Sequence, residues 1–235
     1  MTSLTNAVVL VTGANGGIGT EFVYAALARG AAKVYASARN PREWGDDRIV
    51  PLALDVTDAA SIAAAVNTAS DVTVLINNAG GLPQTASILD IDEDDLRHTM
   101  EINFFAPVLV ARAFAPHLRA ASNAVLIDIH SVASWHASAG GYSASKAALW
   151  SATNSLRIEL APHGVLVTGV HVGYVDTAMA AFTDDPKMTP GDLVSAVFDG
   201  VEKGEFEIVA DDITAMVKAG LAGPIEGLYP EVISS

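Results

Sequence analysis

The chain has 235 residues, 51% hydrophobic and 17% charged, with 27 acidic side chains against 13 basic ones for a net charge of −14. So apolar a chain folds around a sizeable core, as one large unit or two small ones, and is not disordered. Its negative field argues against nucleic acid and anionic membranes as partners, and the absence of cysteine excludes disulfides, thiol catalysis and zinc–thiolate sites.

The opening MTSLTNAVVLVTG has no basic leader, and its apolar run is too short for a signal peptide. No later run approaches the ~20 apolar residues of a spanning helix, so a soluble, cytoplasmic protein is expected. Short β-branched runs at 7–11, 33–37, 49–54, 72–76, 124–129, 165–170 and 207–210 predict seven strands. They are apolar without polar alternation, which suits a sheet covered on both faces. Helical spacing falls between them at 17–29, 58–68, 92–119, 142–161 and 190–203. Asp58 and Asp92 stand where N-caps belong, and Gly30 and Gly164 where helices stop. This alternation predicts an α/β, Rossmann-like doubly wound, mostly parallel seven-stranded sheet. No linker or repeat divides it, so 1–235 reads as one dinucleotide-binding domain with an irregular loop at about 174–190 and a tail at 211–235.

After the first strand comes TGANGGIG, residues 12–19, opening the first helix. Gly13, Gly17 and Gly19 let backbone approach a pyrophosphate, and the helix N-terminus offers N–H groups and a positive dipole end. A structural turn would also need glycines. An NAD site places an acid near the end of the second strand. Here that end reads Tyr35-Ala36-Ser37-Ala38-Arg39-Asn40, with no acid before Glu43. Arg39 and Ser37 suit a 2′-phosphate instead, unless Arg39 is simply a solvated loop residue, so NADP is preferred. Asp55, in LDVTD, either accepts from the adenine amino group or makes a turn. NNAG, residues 77–80, is a polar turn at the carboxyl end of the fourth strand, where doubly wound folds bind ligands. The acidic cluster at 90–95 suits a helix N-terminus rather than a cation. Six scattered histidines show no metal-ligand spacing.

In YSASK, Tyr142 and Lys146 are four positions apart at a helix start and share one helix face. Alone, the pair is either a proton-transfer site or the polar start of an ordinary helix.

The glycine pattern, NNAG, the Ser131 region and YSASK, all in order over residues 5 to 210, resemble the short-chain dehydrogenase/reductase family in its compact single-domain form. The resemblance implies a tetrad of Asn103 in MEINFFAP, Ser131 in IDIHSVAS, Tyr142 and Lys146. It implies cofactor contacts from Gly13, Asn15, Gly17, Ile18 and Gly19, then Ser37, Arg39, Asp55 and Val56. Asn78, Ala79, Gly80, Gly173, Val175 and Thr177 complete them, together with Tyr142 and Lys146. Tyr142 is then the acid in carbonyl reduction and the base in alcohol oxidation. An ammonium ~4 Å from a phenol, at an effective dielectric of ~20, interacts by roughly 4 kcal/mol, or about 3 pKa units at the upper limit. Lys146 also serves the nicotinamide ribose, Ser131 holds the substrate oxygen, and Asn103 positions a water or relieves a local helix defect.

Three departures accompany the resemblance. Ser131 and Tyr142 are 11 positions apart, about two fewer than usual, and Ser134 and Ser138 are rival serines. Val172-Gly173 replaces the usual Pro-Gly, and Gly16 replaces a basic residue of many NADP-binding relatives, leaving NADP affinity to Arg39. Trp135 and His136 are candidate pocket residues, or plain packing. The expectation is an NADPH-dependent, reversible carbonyl reductase acting on a neutral, fairly hydrophobic ketone or alcohol. The resemblance also implies a homodimer or homotetramer packed through the 92–119 and 142–161 helices. A non-catalytic NADP sensor and an NAD-linked alcohol or hydroxysteroid dehydrogenase are the alternatives.

Overall fold

The computed structural model describes residues 3–233. Seven parallel strands form one sheet: β1 (Val8–Thr12), β2 (Lys33–Ala38), β3 (Ile49–Ala53), β4 (Val74–Asn77), β5 (Val125–Ile129), β6 (Leu166–His171) and β7 (Glu207–Val209). Their order is β3-β2-β1-β4-β5-β6-β7. The winding reverses between β1 and β4, which opens a crevice beyond their carboxyl ends.

Helices cover both faces because successive strand residues alternate. Val9 and Val11 of β1 pack in one core with α1 (Gly17–Ala28) and α6 (Pro190–Lys203), where Phe22 and Phe198 meet edge to face at 5.4 Å. Leu10 faces the other core, under α2 (Ala59–Thr68) and α4 (Ala106–Ala120), which contributes Phe114 and Leu118. Full burial of each such side chain is worth about 1.5–3 kcal/mol. Asp58 caps α2 by accepting from the Ala60 N–H, and Asp92 caps α3 (Glu93–Met100) through the Asp94 N–H. Gly30 and Gly164 hold left-handed backbone, φ 88° and 73°, where helices end.

The segment 92–119, expected as one helix, is interrupted. α3 passes into a π-helical turn, Glu101–Phe105, before α4 resumes. α5 (Gly140–Leu160) starts two residues before Tyr142. The expected tail carries α7 (Asp212–Gly220) and α8 (Ile225–Leu228). Asp211 caps α7 through the Thr214 N–H at 2.8 Å. Among the described residues, no helix is long and apolar enough to cross a membrane.

Candidate active site

The cradle after β1 is made by glycines with no room for side chains. Gly13 has φ 66°, and a Cβ on it would lie 3.0 Å from the Ala79 Cα. A Cβ on Gly19 would lie 2.2 Å from the Gly13 carbonyl oxygen, and one on Gly17 2.8 Å from the Thr177 Cγ2. Gly17 therefore lets the loop after β6 close onto the first turn of α1. Gly16 caps α1 without any side-chain hydrogen bond. A tight, glycine-lined turn ending in an uncapped helix N-terminus fits a dinucleotide pyrophosphate. Asn15 belongs to this turn, and Ile18 to the first turn of α1.

Thr12 joins this cradle to NNAG, a role not recognised from sequence. Its hydroxyl accepts from the N–H groups of Asn78 (2.9 Å) and Ala79 (3.0 Å) and donates to the Ile76 carbonyl (3.2 Å). Asn78 Nδ2 donates back to the Thr12 carbonyl at 2.8 Å. The signal was its place as the last residue of β1, beside the crevice.

At the β2 exit, Asn15 Nδ2 donates to the Asn40 carbonyl at 2.8 Å, tying the cradle to the strand end. Arg39 is exposed, and its charge helps hold the Asp55 carboxyl below its ordinary value. The larger cause there is hydrogen bonding from Thr57, whose N–H and hydroxyl both reach Asp55 Oδ1. Asp55 thus makes the turn that was one of its two readings. Val56 follows it and lines a narrow gap with Thr12, Asn77 and Ala79. Ser37 corrects the sequence reading. It is buried, and its hydroxyl donates to the Val11 carbonyl at 2.9 Å, so it braces the sheet and does not present itself to a 2′-phosphate.

The four residues of the expected tetrad converge at the carboxyl ends of β4 and β5. Asn103 sits in the π-helical turn, where its side chain is buried and pairs with Gly81: Oδ1 accepts from the Gly81 N–H at 3.0 Å, and Nδ2 donates to the Gly81 carbonyl at 2.9 Å. Nδ2 also reaches Ser145 Oγ at 3.2 Å. Lys146 is buried and its Nζ donates to the Ile129 carbonyl at 2.9 Å. Gly80 stands between the two. A Cβ there would be 3.0 Å from Asn103 Oδ1 and 3.7 Å from Lys146 Nζ.

Tyr142 is half-buried, with Lys146 Nζ 5.7 Å from its ring centroid. Burial pushes the phenol up to about 12, opposed by its hydrogen bond with Ser131. This corrects the expectation that the ammonium dominates; in the free protein desolvation wins. Burial also brings Lys146 down to about 8, against the pull of Asp128. Of the three serines, only Ser131 acts on the phenol in this way; Ser134 is buried and Ser138 exposed.

The short loop from Ser131 to Tyr142 is held by several ties. Ser131 Oγ accepts from the Ala133 N–H at 3.2 Å, starting a 3-10 turn, Val132–Ser134. Ser143 Oγ donates to the His136 carbonyl and accepts from the Ala139 N–H, both at 3.0 Å. Gly140, φ 48°, passes so close to the Ala86 carbonyl that a Cβ would lie 2.2 Å from its oxygen. Tyr229, from the tail, accepts from the Ala137 N–H at 2.9 Å and stacks on His136 at 4.9 Å. Trp135 is buried, stacked on His171 at 3.7 Å.

Asp128, also unforeseen, lies fully buried on β5. It accepts from Asn77 Nδ2 at 2.9 Å and meets Thr153 Oγ1 at 2.7 Å. The Thr153 hydroxyl is also 2.9 Å from the Leu149 carbonyl. One hydroxyl donates one proton, so both contacts are hydrogen bonds only when Asp128 is protonated. Burial pushes its carboxyl in that direction.

After β6, the Gly173 N–H donates to Asp211 Oδ2 at 2.6 Å. Val175 is buried and bridges to Met188, while Thr177 Oγ1 donates to the Val175 carbonyl at 3.3 Å.

Comparison with known proteins identifies the family. The family model described as short chain dehydrogenase matches residues 7–187. A short-chain dehydrogenase of Penicillium crustosum is 35% identical over 215 residues, covering 83% of this chain and 77% of that protein. A short-chain dehydrogenase from Burkholderia cenocepacia, solved in complex with NADP, superposes with a TM-score of 0.90 at 34% identity, covering 97% and 98% of the two chains. NADPH-bound carbonyl reductase from chicken fatty liver superposes with a TM-score of 0.78 at 29% identity, covering 90% of this chain and 96% of that one. The chain is an oxidoreductase of the short-chain dehydrogenase family, built to hold a nicotinamide cofactor.

Proposed function

We propose that the protein reduces a ketone to a secondary alcohol with NADPH, reversibly, and that Tyr142 delivers the proton. The observation that carries this reading is the convergence of Tyr142, Lys146 and Asn103: Lys146 Nζ stands 5.7 Å from the Tyr142 ring, and Gly80 lies between that Nζ and Asn103 Oδ1. A bound nicotinamide supplies or accepts the hydride.

The residues of the chain do the rest. Ser131 and Tyr142 hydrogen-bond the carbonyl oxygen as negative charge develops on it. Tyr142 is protonated at neutral pH in the free protein, the state an acid needs. In the oxidative direction the same phenol takes up the alcohol proton. Lys146 supplies positive charge next to the developing phenolate, stabilising it where burial otherwise penalises it. Asn103 holds the Gly81 backbone by both amide atoms and positions a water between itself and Lys146. Gly13, Asn15, Gly17, Ile18 and Gly19 hold the pyrophosphate, and Asn78, Ala79 and Gly80 the adjoining ribose. Gly173, Val175 and Thr177 hold the carboxamide, Asp55 and Val56 the adenine, and Arg39 the 2′-phosphate.

The preference for NADP rests on Arg39 and on the lack of an acid at the β2 exit; the NADP and NADPH complexes of two relatives are in keeping with it. A second copy of the chain fits the exposed Phe105, Leu109 and Ile158 on the helices flanking the site. The test is NADPH consumption at 340 nm with a panel of neutral hydrophobic ketones, each run in parallel with NADH. Turnover of some ketone with NADPH supports the reading; NADPH binding with no turnover of any carbonyl or alcohol would return the chain to the NADP-sensor alternative.

A further inference from the structure

Among the described residues Asp128 is the only buried acid, and it lies on β5 three positions before Ser131. Its Oδ1 accepts from Asn77 Nδ2 at 2.9 Å, and its Oδ2 lies 2.7 Å from the Thr153 hydroxyl. That hydroxyl is also 2.9 Å from the Leu149 carbonyl, one helical turn back.

An asparagine of the same shape would satisfy all of these contacts at once. Its oxygen would accept from Asn77, its Nδ2 would donate to Thr153, and Thr153 would keep its own proton for Leu149. An ionised carboxyl takes the Thr153 proton and leaves the Leu149 contact without one, and a neutral carboxyl needs a proton of its own. Burying a charge also costs free energy. Hydrogen bonding therefore gives no reason for an acid at this position. What separates the acid from its amide is charge.

The charge nearest in the fold is that of Lys146. Lys146 and Thr153 are seven positions apart on the inward face of α5, and both are buried. Lys146 Nζ donates at 2.9 Å to the carbonyl of Ile129, the residue after Asp128, while Thr153 meets Asp128 itself. The two contacts fix the ammonium and the carboxyl against the same stretch of strand. Asp128 raises the Lys146 pKa against the effect of burial, and Lys146 and Arg157 oppose the burial of Asp128.

Other neighbours do not take this role. His130 on β5, His171 on β6 and Tyr142 on α5 are each driven toward the neutral form by burial. From β4 and α4 come Asn77 and the Pro107 carbonyl, neither of which titrates. Arg157 is charged, but it donates to the Val167 and Phe206 carbonyls and to the Asn154 side chain.

We propose that Asp128 is a positioning residue for the reaction, an internal counter-charge that keeps Lys146 in the ammonium form in which it supports the Tyr142 phenolate. The inference rests on the role given to Lys146 above and extends it to a residue which that role does not include. As pH rises, the carboxyl ionises before the ammonium gives up its proton, and its negative charge then favours the ammonium. Without that charge the ammonium is lost at lower pH.

Two measurements test this. The first is NMR titration of the protein carrying isotope-labelled lysine and aspartate, with neither cofactor nor substrate added. Asp128→Asn should lower the Lys146 pKa by about one unit, the order of a Coulomb interaction within a protein. By linkage, Lys146→Met should raise the Asp128 pKa by a similar amount, a readout that does not depend on the folding of Asp128→Asn. The second is the pH profile of kcat/KM for NADPH-dependent reduction, with a neutral hydrophobic ketone that the wild type turns over. Its alkaline decline should begin about one pH unit lower in Asp128→Asn, each profile being referred to its own low-pH plateau. Because the amide keeps every hydrogen bond, Asp128→Asn should melt no lower than the wild type.

An alkaline limit unmoved in Asp128→Asn would overturn the proposal and leave Asp128 a brace of the sheet. So would an Asp128 carboxyl that Lys146→Met does not shift. A wild type with no alkaline decline, or one that reduces no ketone, would overturn the role of Lys146 itself and this proposal with it, whatever the NMR shifts show.

Discussion

The phenol of Tyr229 accepts a hydrogen bond from the Ala137 N–H at 2.9 Å, halfway along the loop that runs from Ser131 to Tyr142. A residue of the C-terminal segment thereby holds the loop between two members of the site. The same ring stacks on His136, whose Nε2 lies 3.2 Å from the Leu228 carbonyl. This is how a loop about two residues shorter than usual is kept in place: the tail and Ser143 supply its fastenings. Tyr229→Phe keeps the stack and removes the hydrogen bond, so it should cost about 1 kcal/mol or less in stability. The expected signature is a several-fold fall in kcat with the NADPH dissociation constant unchanged, read by steady-state kinetics and calorimetry. Unchanged kcat would show that the tie is only structural.

The contact between Gly17 and Thr177 makes a separable prediction. A methyl at Gly17 meets the Thr177 Cγ2 at 2.8 Å, so Gly17→Ala should weaken cofactor binding by forcing the loop after β6 off the cradle. Thr177→Ser removes that methyl and keeps the hydroxyl. The double variant should recover most of the lost affinity, a coupling that a double-mutant cycle measures. Additive losses would show that the clash is not the cause.

Thr12 is expected to matter to folding more than a single hydroxyl usually does. Thr12→Val conserves shape but leaves the Asn78 and Ala79 N–H groups without their acceptor, at a cost of about 1–3 kcal/mol for each group that stays buried. Urea unfolding should show a loss of about 3 kcal/mol in total. A loss near zero would mean that water replaces the hydroxyl.

His171 predicts acid sensitivity. Burial lowers its pKa from 6.5 to about 3 in the folded protein. Between those values the unfolded chain binds the proton and the folded one does not, so stability rises with pH through that window and is complete above about 6.5. Fully buried His130 is shifted in the same direction. His171→Phe should flatten the acid limb of a melting temperature–pH curve. An unchanged limb would assign acid sensitivity to other groups.

Lys146, brought down to about 8, predicts a limit on the alkaline side for reduction. The charged ammonium is present below that value and is lost above it, while the phenol stays protonated to about 12. Ketone reduction in the free enzyme, followed as kcat/KM, should therefore decline above about pH 8 with one ionisation. Lys146→Met should lose most activity and the ionisation with it. A profile flat to pH 10 would contradict this role for the lysine.

The strands were legible because a doubly covered sheet needs uninterrupted apolar runs, whereas alternation of apolar and polar residues marks a half-exposed one. The observed strands start and end within two residues of those runs. The cradle, NNAG and YSASK were legible because each places special backbone or reactive atoms at a strand end. The π-helical turn was not, because helical periodicity reads straight across it, although Asn103 at its centre shows that one extra residue turns the amide toward Gly81. Ser37 was misread because its strand position, not its chemistry, decides that it is buried. α7 was passed over with the Gly/Pro-containing segment around it, even though Asp211 followed by Asp212 is an ordinary helix start. The tie from Tyr229 to Ala137 spans 92 positions, and no local pattern encodes such a contact.

The central claim is that Tyr142 delivers the proton, and Tyr142→Phe tests it most directly. With a ketone that the wild type reduces, the variant should lose at least about a hundredfold in kcat, while its dissociation constant for NADPH stays within about twofold. Retention of wild-type kcat in Tyr142→Phe would contradict the account.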